Sequence, residues 1–245
     1  MSFVFQSSIT VPPCDTDSQG DLHLSAALHY TQQVAGQHCD QLGFPQQFLD
    51  EKGLFWAIIR NLFTVHRLPK AGETIHMETW PMPTTRTCYP RSCNAYDQAG
   101  DLLFSCHSLW ILMDQSTRAM VLPGKSGIDV PGIPGENVPP APRSLPPIRE
   151  EGRCQRQVMH EDLDKNNHMN NARYVDWSCS LPVWKGDLRS VNLCYLNEAL
   201  EGQLLDICWV RDGESRLAVD IRRAKEDGSF DRIFSASYEF DNVVL

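Results

Sequence analysis

The chain has 245 residues, nine cysteines and a formal charge of −9 at pH 7. This length allows one large domain or two small ones, and the negative charge argues against nonspecific binding to nucleic acid or to an anionic membrane surface. The sequence has no apolar run near the ~20 residues of a membrane span, no basic and apolar leader at its start and no Cys-x-x-Cys pair, so we expect a cytoplasmic protein with reduced thiols and without membrane insertion or a zinc site.

The first half of the sequence predicts one helix followed by antiparallel strands. Residues 3–12 alternate apolar and polar side chains, as a strand does, and Ser25 opens an amphipathic helical pattern that Gly43 ends. An acidic stretch at residues 15–21 looks like a calcium loop, but Ala26 stands where an EF-hand needs a bidentate Glu, so we expect no metal there. β-Prone runs follow at residues 55–65, 74–80, 91–96 and 102–113, and this order predicts an α+β unit.

A segment rich in proline and glycine, residues 126–150, interrupts the strand pattern. So many turn formers in a short span are typical of an extended linker. We therefore predict an N-terminal domain over residues 1–125 and a C-terminal domain over residues 151–245.

The second half repeats the plan of the first. Its patterns predict a strand near residues 153–158, a helix at residues 171–181, and strands at residues 190–196, 204–211, 216–225 and 230–240. The Asp15-Thr-Asp17 triplet before the first helix has a counterpart in Asp162-Leu-Asp164 before the second. A repeat over so long a distance indicates a duplicated domain.

The loop before the second helix carries polar side chains at every second position, namely Asp164, Asn166 and His168. In an extended segment these side chains share one face and could converge on one point. An Asx-rich turn with an Asn helix cap is the simpler interpretation. However, the first half has no imidazole in its loop, and Leu68 stands where the second half has Glu198. The second half thus carries additional groups that can move protons.

This loop resembles the signature of the acyl-(acyl carrier protein) thioesterases, Asp-x-Asn-x-His-x-Asn-Asn-x-x-Tyr-x-x-Trp, over residues 162–177. Residues 60–81 are similar to the first half of that family, as are Arg91, Asp97, Gly100, Ser108, Trp110, Met113 and Asp114. The resemblance implies a bacterial member of the family, with an α+β double hotdog fold in which each half wraps an antiparallel sheet around a central helix. It also implies a hydrolase that releases fatty acid from the carrier protein without a cofactor.

The resemblance assigns the catalytic residues to Asp164, Asn166, His168 and Glu198. Plant members carry a Cys directly after that Glu, whereas this chain has Ala199. The missing thiol favours water as the nucleophile, and the nearby Cys179 and Cys194 are better explained as small buried hydrophobes.

We expect Glu198, assisted by His168, to deprotonate the water, and either of the two could be the base. Asn166 would hold the water or the carbonyl, and Asp164 would orient its neighbours. Backbone N–H groups near Asn170 and Asn171, at the start of the helix, would receive the oxyanion.

We expect the two halves to bind different parts of the substrate. The resemblance places the acyl chain in the first half, where the candidate binding residues are Leu28, Trp56, Ile58, Arg60 and Leu62. The carrier protein is acidic and needs a local basic cluster, for which the candidates are Arg60, Arg67, Lys70 and Arg86. The sequence leaves a homodimer and the preferred chain length open.

Three rival functions follow from the same residues. A hotdog thioesterase acting on CoA thioesters would need the same chemistry and a different docking surface. A hotdog hydratase is disfavoured, because it resembles Asp-x-x-x-x-Asn-Pro-x-His and no Pro follows Asn166 or Asn167 here. A non-catalytic acyl-thioester-binding protein would not need Glu198.

Overall fold

The computed structural model describes residues 3–184 and 186–241. Its contacts divide the chain into two compact units, Met1–Pro142 and Arg143–Leu245. The division falls inside the segment predicted as a linker.

The first unit is a helix with an antiparallel sheet. Its sheet order is β1-β3-β4-β5-β2, and β6 pairs with β5. The elements are β1 (Phe5–Thr10), α1 (Leu24–Gln41), α2 (Gln46–Glu51), β2 (Leu54–Val65), β3 (Thr74–Pro81), β4 (Tyr89–Tyr96), β5 (Leu102–Asp114), β6 (Met120–Val121) and α3 (Pro123–Ser126).

Helix α1 confirms the helix predicted from Ser25. Its buried side chains recur every three or four residues, among them Ala27, Leu28, Thr31, Val34 and Ala35, so one stripe of the helix is apolar. That stripe is buried where α1 packs against β1 and β3. The central helix therefore supplies one side of the first unit's core.

The second unit repeats this arrangement. Its sheet order is β8-β11-β10-β9-β7, all antiparallel. The elements are β7 (Gly152–Gln157), α4 (Asn171–Cys179), β8 (Asp187–Tyr195), β9 (Leu204–Asp212), β10 (Arg216–Ala224) and β11 (Phe230–Asp241). Helix α4 buries Tyr174 and Trp177 in the core. Each unit thus has the hotdog arrangement, which confirms the predicted α+β double hotdog.

The proline- and glycine-rich segment has no helix or strand from residue 127 to residue 151, yet it is bonded to the sheets. In the first unit, Ile133 donates its N–H to Pro81 O at 3.0 Å, and Asn94 Nδ2 donates to Glu136 O at 3.3 Å. A Cβ at Gly135 would collide with the Trp80 indole, so only glycine fits this close approach.

A buried charge cluster holds the other end of this segment against the second sheet. The Asp220 carboxylate is fully buried and accepts hydrogen bonds from Arg222 Nη2 (3.2 Å), Arg232 Nη2 (3.0 Å) and Ser235 Oγ (2.6 Å). It also accepts the backbone N–H of Ile148 at 3.2 Å. Asp220, together with Glu150 at 2.7 Å from Arg222, therefore balances the charge of the two arginines and anchors the segment that leads into β7.

Candidate active site

The loop before α4 has the geometry of the Asx-rich turn with an Asn helix cap, and the extended segment that was the alternative is wrong. The Asp164 N–H donates to His168 O (2.8 Å), and the Asn167 N–H donates to Asp164 O (3.0 Å), with Asn167 at φ 60°. Asp164 Oδ1 accepts the N–H groups of Asn166 (2.8 Å) and His168 (3.3 Å). These local bonds outweigh the alternation of polar residues and curl the backbone.

The corresponding loop of the first unit makes the same turn. The Asp17 N–H donates to Asp21 O (2.8 Å), and Asp17 Oδ1 accepts the N–H groups of Gln19 (2.8 Å) and Asp21 (3.0 Å). Gly20, at φ 79°, stands where the second unit has Asn167. Asp164 and Asp17 are therefore equivalent turn formers, and His168 occupies the place of Asp21.

The side chain that distinguishes the second loop lies beside a carboxylate. His168 Nε2 is 3.3 Å from Glu198 Oε2, with the two side chains 21% and 46% exposed. Glu198 follows the end of β8, thirty positions along the chain from His168. The fold thus brings together the imidazole and the carboxylate that were predicted to act together, at an edge that water can reach.

Three contacts hold the backbone around Glu198. Ala199 O accepts the N–H of Met169 at 2.9 Å, which ties the loop that carries His168 to this segment. Arg223 Nη1 donates to Glu198 O at 3.4 Å. The Tyr174 phenol on α4 lies beside the backbone of Ala199, which lowers the pKa of the phenol. These contacts fix the peptide from which Glu198 projects toward His168.

Tyr174 belongs to this support, a role that the sequence did not predict. Its ring is buried and stacks on Phe234 at a centroid distance of 5.2 Å. Burial raises the pKa of Tyr174, and the nearby backbone of Ala199 opposes that rise. The Tyr of the thioesterase signature could have marked this position in the sequence. Its neighbours, however, depend on the tertiary fold.

The cysteines near the site are poor nucleophiles. Ala199 is fully buried and carries no thiol. Burial raises the pKa of the Cys179 thiol well above its usual range, and the buried Cys194 Sγ lies 3.2 Å from Arg143 O. Because the thiolate is the reactive form, both sites agree with a water nucleophile.

The start of α4 corrects the assignment of Asn170 as an oxyanion donor. Its N–H already donates to Asp162 O at 2.8 Å, and its Oδ1 accepts the N–H of Ala172 at 2.9 Å. Asn170 is therefore the helix N-cap. The N–H of Asn171 belongs to the first turn, where a helix has no acceptor of its own, and its oxyanion role stays a prediction.

The candidate acyl-binding residues of the first unit do not share one face. A bulge in β2 places Ile58 opposite Trp110 and Arg60 opposite Leu109, so Ile58 and Arg60 project from opposite faces of the sheet. Leu28 is fully buried on α1, and Trp56 packs edge-on against Tyr89 at 4.8 Å. Arg60 is thus separated from Ile58, whereas Leu62, opposite His107, lies on the same face as Arg60.

Comparison with known proteins places the chain in a family. The acyl-ACP thioesterase N-terminal domain matches residues 2–122, and the C-terminal domain of the same family matches residues 147–232. The palmitoyl-acyl carrier protein thioesterase of Gossypium hirsutum is 22% identical over 89% of this chain and 58% of its own length. The oleoyl-acyl carrier protein thioesterase of Coriandrum sativum is 25% identical over 71% of this chain and 54% of its own length.

Solved structures share the fold. An acyl-ACP thioesterase from Bacteroides thetaiotaomicron has a TM-score of 0.81 at 21% identity and covers 98% of this chain and 100% of its own. The 12:0-ACP thioesterase of Umbellularia californica has a TM-score of 0.80 at 21% identity and covers 98% of this chain and 97% of its own. Two tandem hotdog units define the structural class. The chain belongs to the acyl-ACP thioesterase family, and it spans about half the length of the curated relatives it matches.

Proposed function

We propose that the protein hydrolyses the thioester of fatty acyl-(acyl carrier protein), releasing free fatty acid and ending chain elongation. The observation that carries this proposal is the 3.3 Å approach of His168 Nε2 to Glu198 Oε2 at a water-accessible edge, in a chain of the acyl-ACP thioesterase family. Within the described residues, no helix combines the length and apolarity that a membrane span requires. A cytoplasmic location, the lack of membrane insertion, a bacterial source and a homodimer stay predictions.

The proposed reaction begins with water. Glu198 and His168 together take a proton from the water as its oxygen attacks the thioester carbonyl, because unassisted water is a weak nucleophile at neutral pH. The first-turn N–H of Asn171 receives the oxyanion, where the α4 dipole favours negative charge. The tetrahedral intermediate then expels the thiolate of the carrier's phosphopantetheine, which recovers the proton. Asn166 would hold the water or carbonyl, and Asp164 shapes the turn that presents His168.

Hydrolysis of matched substrates tests the proposal. Purified protein is given C8 to C18 acyl groups on acyl carrier protein and on CoA, and free thiol and fatty acid are measured. We expect release from the carrier protein, with kcat/KM at least about tenfold above that for the matched CoA thioester. A preference for CoA would favour the rival thioesterase. Binding of the acyl carrier protein without release would favour the non-catalytic protein.

Two of the cations predicted to dock the carrier protein are already paired within the first unit. Arg67 donates to Glu73 (2.8 and 2.6 Å) and to Asp97 (3.3 Å), and Lys70 Nζ lies 2.7 Å from Asp21. Neutralised cations attract an acidic partner less strongly. The proposal therefore favours Arg60 and the exposed Arg86 as docking residues.

Charge reversal should distinguish docking from catalysis. We expect Arg86→Glu and Arg60→Glu to raise KM for the carrier-linked substrate by about three- to tenfold, because surface charges act mainly on association, and to leave KM for the CoA substrate unchanged. Arg189→Glu, at an exposed site of the second unit, is the matched control and should change neither value. Equal effects on both substrates would remove the docking assignment.

Tyr174→Phe should impair catalysis without impairing binding. The substitution keeps the stacked ring and removes the phenol oxygen that lies beside the Ala199 backbone, so the peptide next to Glu198 is less firmly held. We expect kcat to fall by about three- to thirtyfold with KM nearly constant, since a misplaced catalytic group costs rate more than affinity.

Tyr30→Phe supplies the control for Tyr174. Tyr30 is also buried, and its phenol donates to Asp15 Oδ2 at 2.7 Å in the first unit. Losing that bond should cost about 1 kcal/mol of unfolding free energy with kcat unchanged. Matching losses of stability in the two variants, with no fall of kcat in Tyr174→Phe, would reduce Tyr174 to a packing residue.

A further inference from the structure

Three polar side chains cross the inner face of the first sheet in register. Arg91 on β4 pairs with Ser108 on β5, and Ser108 pairs with Asn61 on β2. Directly paired residues of antiparallel strands project from the same face. Arg91 Nη1 lies 3.1 Å from His38 Nδ1 on α1, so this polar row faces the central helix.

Apolar rows flank the polar row on both sides. The same register brings together Tyr89, Trp110 and Ile58 on one side, and Cys93, Cys106 and Phe63 on the other. The polar row therefore lies within the apolar interior of the first unit, beside Ile58, which was predicted to contact the acyl chain. A plain hydrocarbon chain could not satisfy the hydrogen bonding of polar groups at this place.

Asn61 has both a donor and an acceptor to offer. Its side chain is 0% exposed, and neither Oδ1 nor Nδ2 has a hydrogen-bond partner in the described part of the chain. The neighbouring Ser108, by contrast, donates to Arg91 O (3.2 Å) and accepts from Trp110 Nε1 (2.9 Å). Buried polar groups are almost always paired in native proteins, so the two unpaired atoms of one amide point to a ligand.

Arg91 adds positive charge to the same region. Its guanidinium is 6% exposed and is held by His38, by Thr79 Oγ1 (3.2 Å) and by Cys39 Sγ (3.6 Å), none of them a carboxylate. Burial lowers the pKa of Arg91. Among the residues that the structure describes, no acidic side chain forms an ion pair with it. The field around the row therefore favours an oxygen atom of a ligand over a methylene.

We propose that Asn61, supported by Arg91, is a specificity-determining subsite for an oxygen substituent on the acyl chain, so that hydroxy- or oxo-acyl thioesters are preferred over unsubstituted ones. This inference rests on the proposed function, in which the first half holds the acyl chain. A hydroxyl donates to Oδ1 and accepts from Nδ2, and an oxo group accepts from Nδ2. An unsubstituted chain leaves both amide atoms unpaired.

Binding of product acids tests the subsite without requiring turnover. Displacement of a fluorescent fatty acid by saturated acids from C8 to C16 first sets the chain length. Isomers of that acid carrying one hydroxyl or oxo group at successive carbons are then compared with it. We expect at least one isomer to bind about tenfold more tightly than the unsubstituted acid, as a site built for hydrogen bonding discriminates strongly.

The variant Asn61→Leu is close in size and apolar, so it should remove this preference and bind the unsubstituted acid at least as tightly as wild type. Ser92→Ala is the matched control, because Ser92 is buried on the opposite face of β4 and its loss should leave the preference intact. Isomers that all bind no better than the unsubstituted acid, or a preference that survives in Asn61→Leu, would overturn the subsite.

These experiments distinguish failure of the Asn61 subsite from failure of the proposed function. Hydrolysis of unsubstituted acyl carrier protein thioesters, with no oxygen preference in the binding assay, removes the subsite and keeps the thioesterase. A preference that Asn61→Leu abolishes, in a protein that hydrolyses no thioester, keeps the subsite and removes the proposed function.

Discussion

His168→Ala and Glu198→Gln are each expected to lower kcat for thioester hydrolysis by about 10²- to 10⁴-fold, the range for loss of a positioned general base or its partner. The physical reason is the 3.3 Å contact between the imidazole and the carboxylate, which allows a proton to pass from water to the pair. The double variant should be little worse than either single variant, because the two groups act as one unit. Steady-state release of thiol from acyl carrier protein thioesters measures all three.

The second unit supplies a matched control for this experiment. His160 Nδ1 lies 3.9 Å from Glu201 Oε1, and the two side chains are 89% and 57% exposed. His160→Ala and Glu201→Gln therefore break a similar pair at the surface and should leave kcat near wild type. If the His168 and Glu198 variants fold and keep wild-type turnover, the catalytic assignment is wrong.

The elements that depend on local pattern could be predicted from the sequence. The amphipathic pattern from Ser25 became α1, and the pattern before Pro182 became α4. The β2 bulge could not be predicted, because it depends on how β2 pairs with β5 rather than on either strand alone. That pairing decides which face Arg60 occupies, and it also brings Asn61 into line with Ser108.

The candidate site, too, could be predicted from the sequence only in part. Comparison of the two loops and the family resemblance identified His168 and Glu198, but their distance depends on how β8 ends relative to the loop. The alternation of Asp164, Asn166 and His168 suggested an extended segment. The left-handed conformation of Asn167 and the N–H groups bound by Asp164 produced a turn instead. Local hydrogen bonding thus outweighed side-chain periodicity.

Among the variants proposed for this protein, Asp220→Ala should cause the largest loss of stability. The fully buried carboxylate of Asp220 accepts from Arg222, Arg232 and Ser235 and from the Ile148 N–H. Its removal takes the carboxylate partner from Arg232, leaves Arg222 with Glu150 at 2.7 Å, and frees the segment before β7. We expect the free energy of unfolding to fall by about 3–5 kcal/mol, as for other buried ion pairs broken on one side. Urea denaturation followed by circular dichroism measures this change.

Asp212→Ala is the control for Asp220, because Asp212 is 78% exposed and lies 3.7 Å from Arg216 in an ion pair at the surface. Its loss should change stability by less than about 0.5 kcal/mol.

Asp220→Asn should fall between the two, since the amide keeps an oxygen acceptor but carries no charge to offset the arginines. The three variants thus separate the loss of charge from the loss of hydrogen bonds. An unfolding free energy for Asp220→Ala within 1 kcal/mol of wild type, by the same measurement, would mean that water replaces the carboxylate and that the cluster does not hold the segment.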